Sequence, residues 1–213
     1  MSRDRKLIIF SCLLLVCISA AGTIAYLTDK TDPVVNTFTV GKLLEETDKF
    51  ELVEHGIQDN DKNGVYEFTS DEETTNYYKV LPGVDLPKDP FVRTTGPLKL
   101  DAYVFIEVDD KLGNNLSAEV DTDLWEKLDG VKGPTANGDV YVLKSAGYIA
   151  EADTTLNVNI LKDKKIKVTS TEVTDTAAAD YSGSITFYGY MIQAGGFNDY
   201  IEAWEGLDPA PAP

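Results

Sequence analysis

The chain has 213 residues, 36 acidic against 19 basic side chains, one histidine and two cysteines, with a formal net charge of -17. Phosphate backbones are bound through Lys and Arg, so this balance argues against nucleic acid and against direct adhesion to an anionic membrane surface. A single histidine also excludes the H-E-x-x-H zinc motif and any site built on several imidazoles.

The first element is an export signal. Arg3, Arg5 and Lys6 form a positive tip, Leu7 to Ala21 carry no charge, and small residues follow where a peptidase can cut. Cleavage after Gly22 or between Ala25 and Tyr26 satisfies the small-residue rule, and the later cut is favoured, making residues 1–25 the signal peptide. The rival reading is a retained anchor. Leu7 to Leu27 would be long enough to span a bilayer, although no positive cluster follows the run. Apart from that segment no membrane contact is expected, and the protein is expected to be secreted. Both cysteines, Cys12 and Cys17, lie in the apolar run, so the mature chain has none and its stability must come from burial rather than disulfides. Loss of Arg3, Asp4, Arg5 and Lys6 leaves it more acidic still, with Arg93 as its only arginine. Such charge keeps an extracellular protein soluble and self-repelling; alternatively, divalent cations or basic polymers screen it and govern association.

Residues 26–48 read as an N-terminal segment with one short strand, Thr37-Phe38-Thr39-Val40, and residues 49–206 as one β domain. Short strands are expected at Phe50–Val53, Val65–Thr69, Tyr77–Leu81 and Val140–Leu143. Ala102, Val104, Ile106 and Val108 alternate with Tyr103, Phe105 and Glu107, the period of a strand with a buried face. Similar alternation runs through Leu156–Ile160, Ile166–Val168 and Ile185–Met191. Asn63-Gly64, Pro82-Gly83, Gly133-Pro134 and Asn137-Gly138 punctuate these runs. Helix is expected only near Phe197–Glu205 and around Ala118–Leu128. Residues 207–213, rich in proline, read as a disordered tail. Many short strands in one domain predict an all-β, jelly-roll-like β-sandwich with short helical connections.

Within this frame, Asp59-Asn60-Asp61-Lys62-Asn63-Gly64-Val65 resembles the front half of a calcium loop. Asp59, Asp61 and Asn63 could ligate by side chain and Val65 by its carbonyl, but Ser70 stands where a bidentate Glu is expected. The other reading is a polar hairpin turn with positive φ at Asn63-Gly64. His55 reads as a loop or strand-end residue rather than a zinc ligand. Lys162 to Lys167 read as a hairpin with solvated edge lysines, and as the natural partner of Asp71-Glu72-Glu73 on another subunit if assembly is electrostatic. Trp125, Trp204, Tyr188 and Tyr190 read as core and sheet-face packing rather than a carbohydrate platform.

Gly22-Thr23-Ile24-Ala25-Tyr26-Leu27-Thr28-Asp29 followed by Asn36-Thr37-Phe38-Thr39-Val40-Gly41 resembles the N-terminus of the TasA/camelysin family of secreted Gram-positive proteins. Tyr78-Lys79-Val80-Leu81-Pro82-Gly83, Lys88-Asp89-Pro90 and Asp101-Ala102-Tyr103-Val104 are similar to its next block. Gly189-Tyr190-Met191-Ile192-Gln193-Ala194 with Phe197 and Ala203-Trp204 are similar to its C-terminal signature. The resemblance implies a jelly roll, processing by a SipW-type signal peptidase, and self-association at the cell surface or in the matrix, often as biofilm fibre subunits. It also brings a metalloendopeptidase label, which one histidine and no mature cysteine do not support, so no enzyme is expected. A sheet lacking a strand exposes unpaired backbone groups, and the segment Leu27 to Val40, freed by the export cut, could fill that gap in a neighbour. It could equally pair as the first strand of its own sandwich.

Overall fold

In the computed structural model, residues 28–30, 43–169 and 183–207 are described. Twelve strands run in order among them: β1 (Thr28–Lys30), β2 (Phe50–Gln58), β3 (Glu67–Glu73), β4 (Leu86–Pro87), β5 (Phe91–Thr94), β6 (Ala102–Leu112), β7 (Leu116–Val120), β8 (Trp125–Lys132), β9 (Asp139–Leu143), β10 (Asn157–Asn159), β11 (Leu161–Val168) and β12 (Gly183–Gln193). One short helix follows, α1 (Tyr200–Glu205). Every described pairing is antiparallel, in a five-stranded sheet β1-β12-β6-β9-β8, a four-stranded sheet β10-β5-β2-β3 and a three-stranded sheet β4-β11-β7. The chain is an all-β sandwich.

The alternation along β6 places Val104 and Ile106 against Trp125, Leu143 and Met191 of the same sheet and Phe50, Val92, Val120 and Leu161 of the two smaller sheets. That layer is the main core. Trp125, with no solvent exposure, sends its indole N–H across to the Asn159 carbonyl at 2.7 Å, tying β8 to β10. A Trp125→Phe substitution keeps an aromatic ring but orphans that carbonyl, and should cost about 1–3 kcal/mol in urea unfolding.

The opposite face of the five-stranded sheet is buried too. Tyr103, Phe105, Val140, Val142, Tyr190 and Ile192 pack with Trp204 of α1; the Trp204 ring lies 5.0 Å from Phe105 and 5.3 Å from Tyr190, the second contact edge to face. The Asp199 side chain accepts the Glu202 N–H and starts α1. So Trp125, Trp204 and Tyr190 are core, as the sequence suggests, and Tyr188 packs at its margin.

Several expected elements change. Ala118–Leu128 is not a helix: it holds β7, a turn and the start of β8. Its helical character survives as one turn, in which Trp125 N–H donates to the Asp121 carbonyl. Tyr77–Leu81 is not a strand, and Lys79 N–H is satisfied by the Tyr66 hydroxyl at 2.7 Å instead of a ladder. The strand expected from Val65 begins at Glu67. Lys162–Lys167 is not a hairpin with edge lysines. It belongs to β11, the central strand of its sheet, and carries a bulge with positive φ at Asp163 and Lys164.

Three of the four lysines of β11, Lys162, Lys165 and Lys167, are engaged within the chain. Lys162 and Lys167 lie 3.2 and 3.6 Å from Glu119, and Lys165 lies 2.9 Å from Asp85. Hydrogen bonds from Lys165 and then from the Val168 N–H hold the Asp85 carboxyl below its ordinary range, and Lys162 does the same for Glu119. A lowered carboxyl stabilises the fold above its unfolded pKa, and the contribution vanishes as pH falls through the folded value. The β4-β11-β7 sheet is therefore expected to weaken as pH drops below the ordinary values of 3.8 for Asp85 and 4.5 for Glu119. Amide exchange of β11 at about pH 6 and about pH 3 measures this.

Candidate functional site

The N-terminal strand β1 lies at one edge of the five-stranded sheet, where Thr28, Asp29 and Lys30 pair with Ile192, Met191 and Tyr190 of β12. β12 is held on its other side by an unbroken register of eleven residues with β6, from Gly183 against Leu112 to Gln193 against Ala102. The attachment of β1 is thus short, while its acceptor is fixed. Further along, Leu43 and Leu44 are buried in the core, and the Leu43 carbonyl accepts the Lys99 N–H at 2.8 Å. The end of the N-terminal segment is anchored there. The expected cleavage pair Ala25 and Tyr26, and the expected strand Thr37, Phe38, Thr39 and Val40, lie outside the described residues.

The run from Asp59 to Val65 joins β2 to β3 as a turn. The two carboxylate oxygens of Asp59 accept the N–H groups of Asn63 at 3.0 Å and Gly64 at 2.8 Å, and the Asn63 side-chain oxygen accepts the Val65 N–H at 2.8 Å. Positive φ falls on Lys62 and Gly64, not on Asn63. Among the described residues no group of three or more His, Cys, Asp or Glu side chains stands where it could hold a metal ion. Gly64 is constrained twice, by its φ of 80° and by Leu81, whose Cδ1 would lie 2.3 Å from an added Cβ. Gly64→Ala is expected to cost about 1–3 kcal/mol, measurable as a lower midpoint of thermal unfolding.

His55 sits inside β2, not in a loop or at a strand end. Its Nδ1 lies 2.7 Å from Asp89 Oδ2, and its backbone N–H donates to Asp89 Oδ1 at 3.1 Å. Its ring packs 5.5 Å from Phe91 and 6.2 Å from Phe68, and its carbonyl accepts from the Asn76 amide at 2.8 Å. Next to it, Glu54 on the core face of β2 meets Lys88 at 2.5 Å, with both side chains buried. Burial, and then the charges of Glu54 and Asp89, push the nearby Tyr78 phenol well above the usual tyrosine range. Arg93 spans the outer face of the same sheet, held by Glu51 on β2 at 2.8 Å and Glu72 on β3 at 2.5 Å. The sequence does not reveal the Glu54–Lys88 and His55–Asp89 pairs, since each joins residues 34 positions apart.

A third polar group lies on the far side of the five-stranded sheet. Glu107 of β6, fully buried, accepts N–H groups from Thr135, Ala136 and Gly138 at 3.1, 2.6 and 3.0 Å, and the Tyr190 hydroxyl at 2.6 Å. Both oxygens are occupied in fastening the β8–β9 turn, which makes the group structural. Set against known proteins, the chain matches no family model, no curated protein and no solved structure.

Proposed function

We propose that this chain is a secreted, non-catalytic structural protein of the cell surface or extracellular matrix, a fibre subunit that assembles by exchange of its N-terminal strand. The observation that carries this reading is the place of β1: a three-residue strand close behind the export signal, laid on the edge of a sheet whose next strand, β12, is firmly held. A strand seated through so short a register can leave its own β12 and pair with that of a neighbour through the same backbone bonds. Repeated head to tail, that contact does not close and gives a filament. The resemblance of the N-terminal and C-terminal motifs to the TasA/camelysin family supports the same reading, with a SipW-type signal peptidase freeing the segment.

A second reading follows from the same contact: β1 closes its own sheet, and the protein stays a monomer that binds a partner at the surface. Light scattering and negative-stain microscopy of the mature chain, starting at Tyr26, separate the two. Filaments from the mature form, absent when a few residues extend its N-terminus, support strand exchange. A monomer in every condition supports the second reading. An endopeptidase would be recognised by chelator-sensitive cleavage of peptides. The run 59–65 acts as a turn in this proposal, so added calcium is expected to leave the unfolding midpoint unchanged; a rise would give Asp59, Asp61, Asn63 and Val65 their ligand.

A further inference from the structure

The pair formed by Lys88 and Glu54 differs from the other lysine–carboxylate contacts among the described residues. Its side chains are only 9% and 6% exposed, whereas the other paired lysines are 34% exposed or more. The two groups are also held from behind. Glu54 belongs to β2, between β3 and β5, and the Lys88 N–H donates to the Lys164 carbonyl at 2.8 Å. The following residue, Asp89, is locked by His55. The Phe187 ring, 6.0 Å from the Lys88 Nζ, supplies an apolar wall.

We propose that Lys88 Nζ and Glu54 Cδ condense into an intramolecular amide once the domain has folded. For the reaction a proton passes from the ammonium to the carboxylate, giving a neutral amine facing a neutral acid. The amine lone pair attacks Cδ and a C–N bond forms. The bond from Cδ to its hydroxyl oxygen then breaks, and that oxygen leaves as water with a second proton from nitrogen. An ammonium and a carboxylate become one amide and one water, so the step needs no oxidant or co-reactant. Proximity supplies the driving advantage, because two groups held in contact react at an effective concentration far above any in solution. The product also replaces two buried charges by a neutral group. It would fasten β2 to the segment between β4 and β5 in a mature chain that has no cysteine for a disulfide.

Mass spectrometry of the purified chain, denatured before injection, tests this. The expected mass is one water below that of the sequence, with fragmentation joining the peptide containing Glu54 to the one containing Lys88. Lys88→Arg keeps the positive charge and should restore the full mass. Imide formation at Asp129-Gly130 also loses water, but it would persist in Lys88→Arg and join no peptides. A wild-type chain at full sequence mass, or a water loss equal in wild type and Lys88→Arg with no joined peptides, overturns the proposal. The wild-type measurement does not depend on whether any variant folds.

Discussion

Replacing Glu107 with alanine is expected to lower folding stability by about 3–5 kcal/mol, measured by urea unfolding at neutral pH. The side chain lies at the middle of β6, fully buried, and collects three backbone N–H groups and one phenolic hydroxyl. Its loss leaves the Thr135, Ala136 and Gly138 N–H groups without their acceptor, while the Tyr190 hydroxyl keeps Thr135 Oγ1 at 2.8 Å, and each buried unsatisfied group costs about 1–3 kcal/mol before relaxation. Domains of this size carry only about 5–15 kcal/mol in total, so the variant should sit near the edge of folding. Glu107→Gln keeps the shape but turns one acceptor into an amide NH2 facing other donors, and should fall between wild type and Glu107→Ala. Gly133 belongs to the same unit: a Cβ there would lie 1.9 Å from the Glu107 Cδ. Gly133→Ala in the Glu107→Ala background should therefore cost less than in wild type, since the obstructing carboxylate is gone. The Tyr190 phenol, raised first by its burial and then by its bond to Glu107, gives an independent readout. Its titration should move down in Glu107→Gln while the ring stays buried. A loss below about 1 kcal/mol in Glu107→Ala would mean that the turn finds other partners.

That carboxylate also shows where sequence reading succeeds and where it stops. The period of two through β6 and β12 is plain in the residues, because a pleated strand puts alternate side chains on opposite faces. Reading Glu107 as a marker of the solvent face is the natural error. Its burial is satisfied by N–H groups 28, 29 and 31 residues later in the chain, and only the glycines at 133 and 138 hint at a backbone approaching closely. β5 is masked by Pro90 immediately before it, and β4 by Pro87 within it. Ala118–Leu128 misleads because Asp121 starts a single helical turn between two strands. The lysines of β11 look like an edge device, yet β11 is the central strand of its sheet, and Lys162, Lys165 and Lys167 pair with Glu119 and Asp85. For the N-terminal site, the charged tip and the apolar run are plain in the residues, but the expected strand Thr37–Val40 lies outside the described residues and β1 at Thr28–Lys30 is not among the expected strands. Which strand receives β1 depends on pairing with residues 190–192, a separation that no local pattern encodes.

Removing Leu27 to Asn36 is expected to abolish polymers of the mature chain while leaving the sandwich folded. β1 contributes three paired residues to one end of β12, whereas β6 holds that strand through eleven. The buried anchors Leu43 and Leu44 stay in the shortened chain. Loss of fold should therefore be small, and circular dichroism with thermal unfolding checks it. Loss of assembly should be complete, because β1, the strand laid on β12, is removed. Exchange keeps the same backbone bonds and trades an intramolecular partner for an intermolecular one, so protein concentration shifts the balance between closed monomer and open chain. Light scattering over a concentration series should show growth for the mature chain and a flat response for the deletion. Asp29→Pro offers the same test with no residues removed, since proline takes a donor from the middle of β1 and is poorly tolerated in a paired strand. Polymers unchanged in both variants would remove strand exchange as the mechanism: each subunit would then close its own sheet with β1, and assembly would run through another surface.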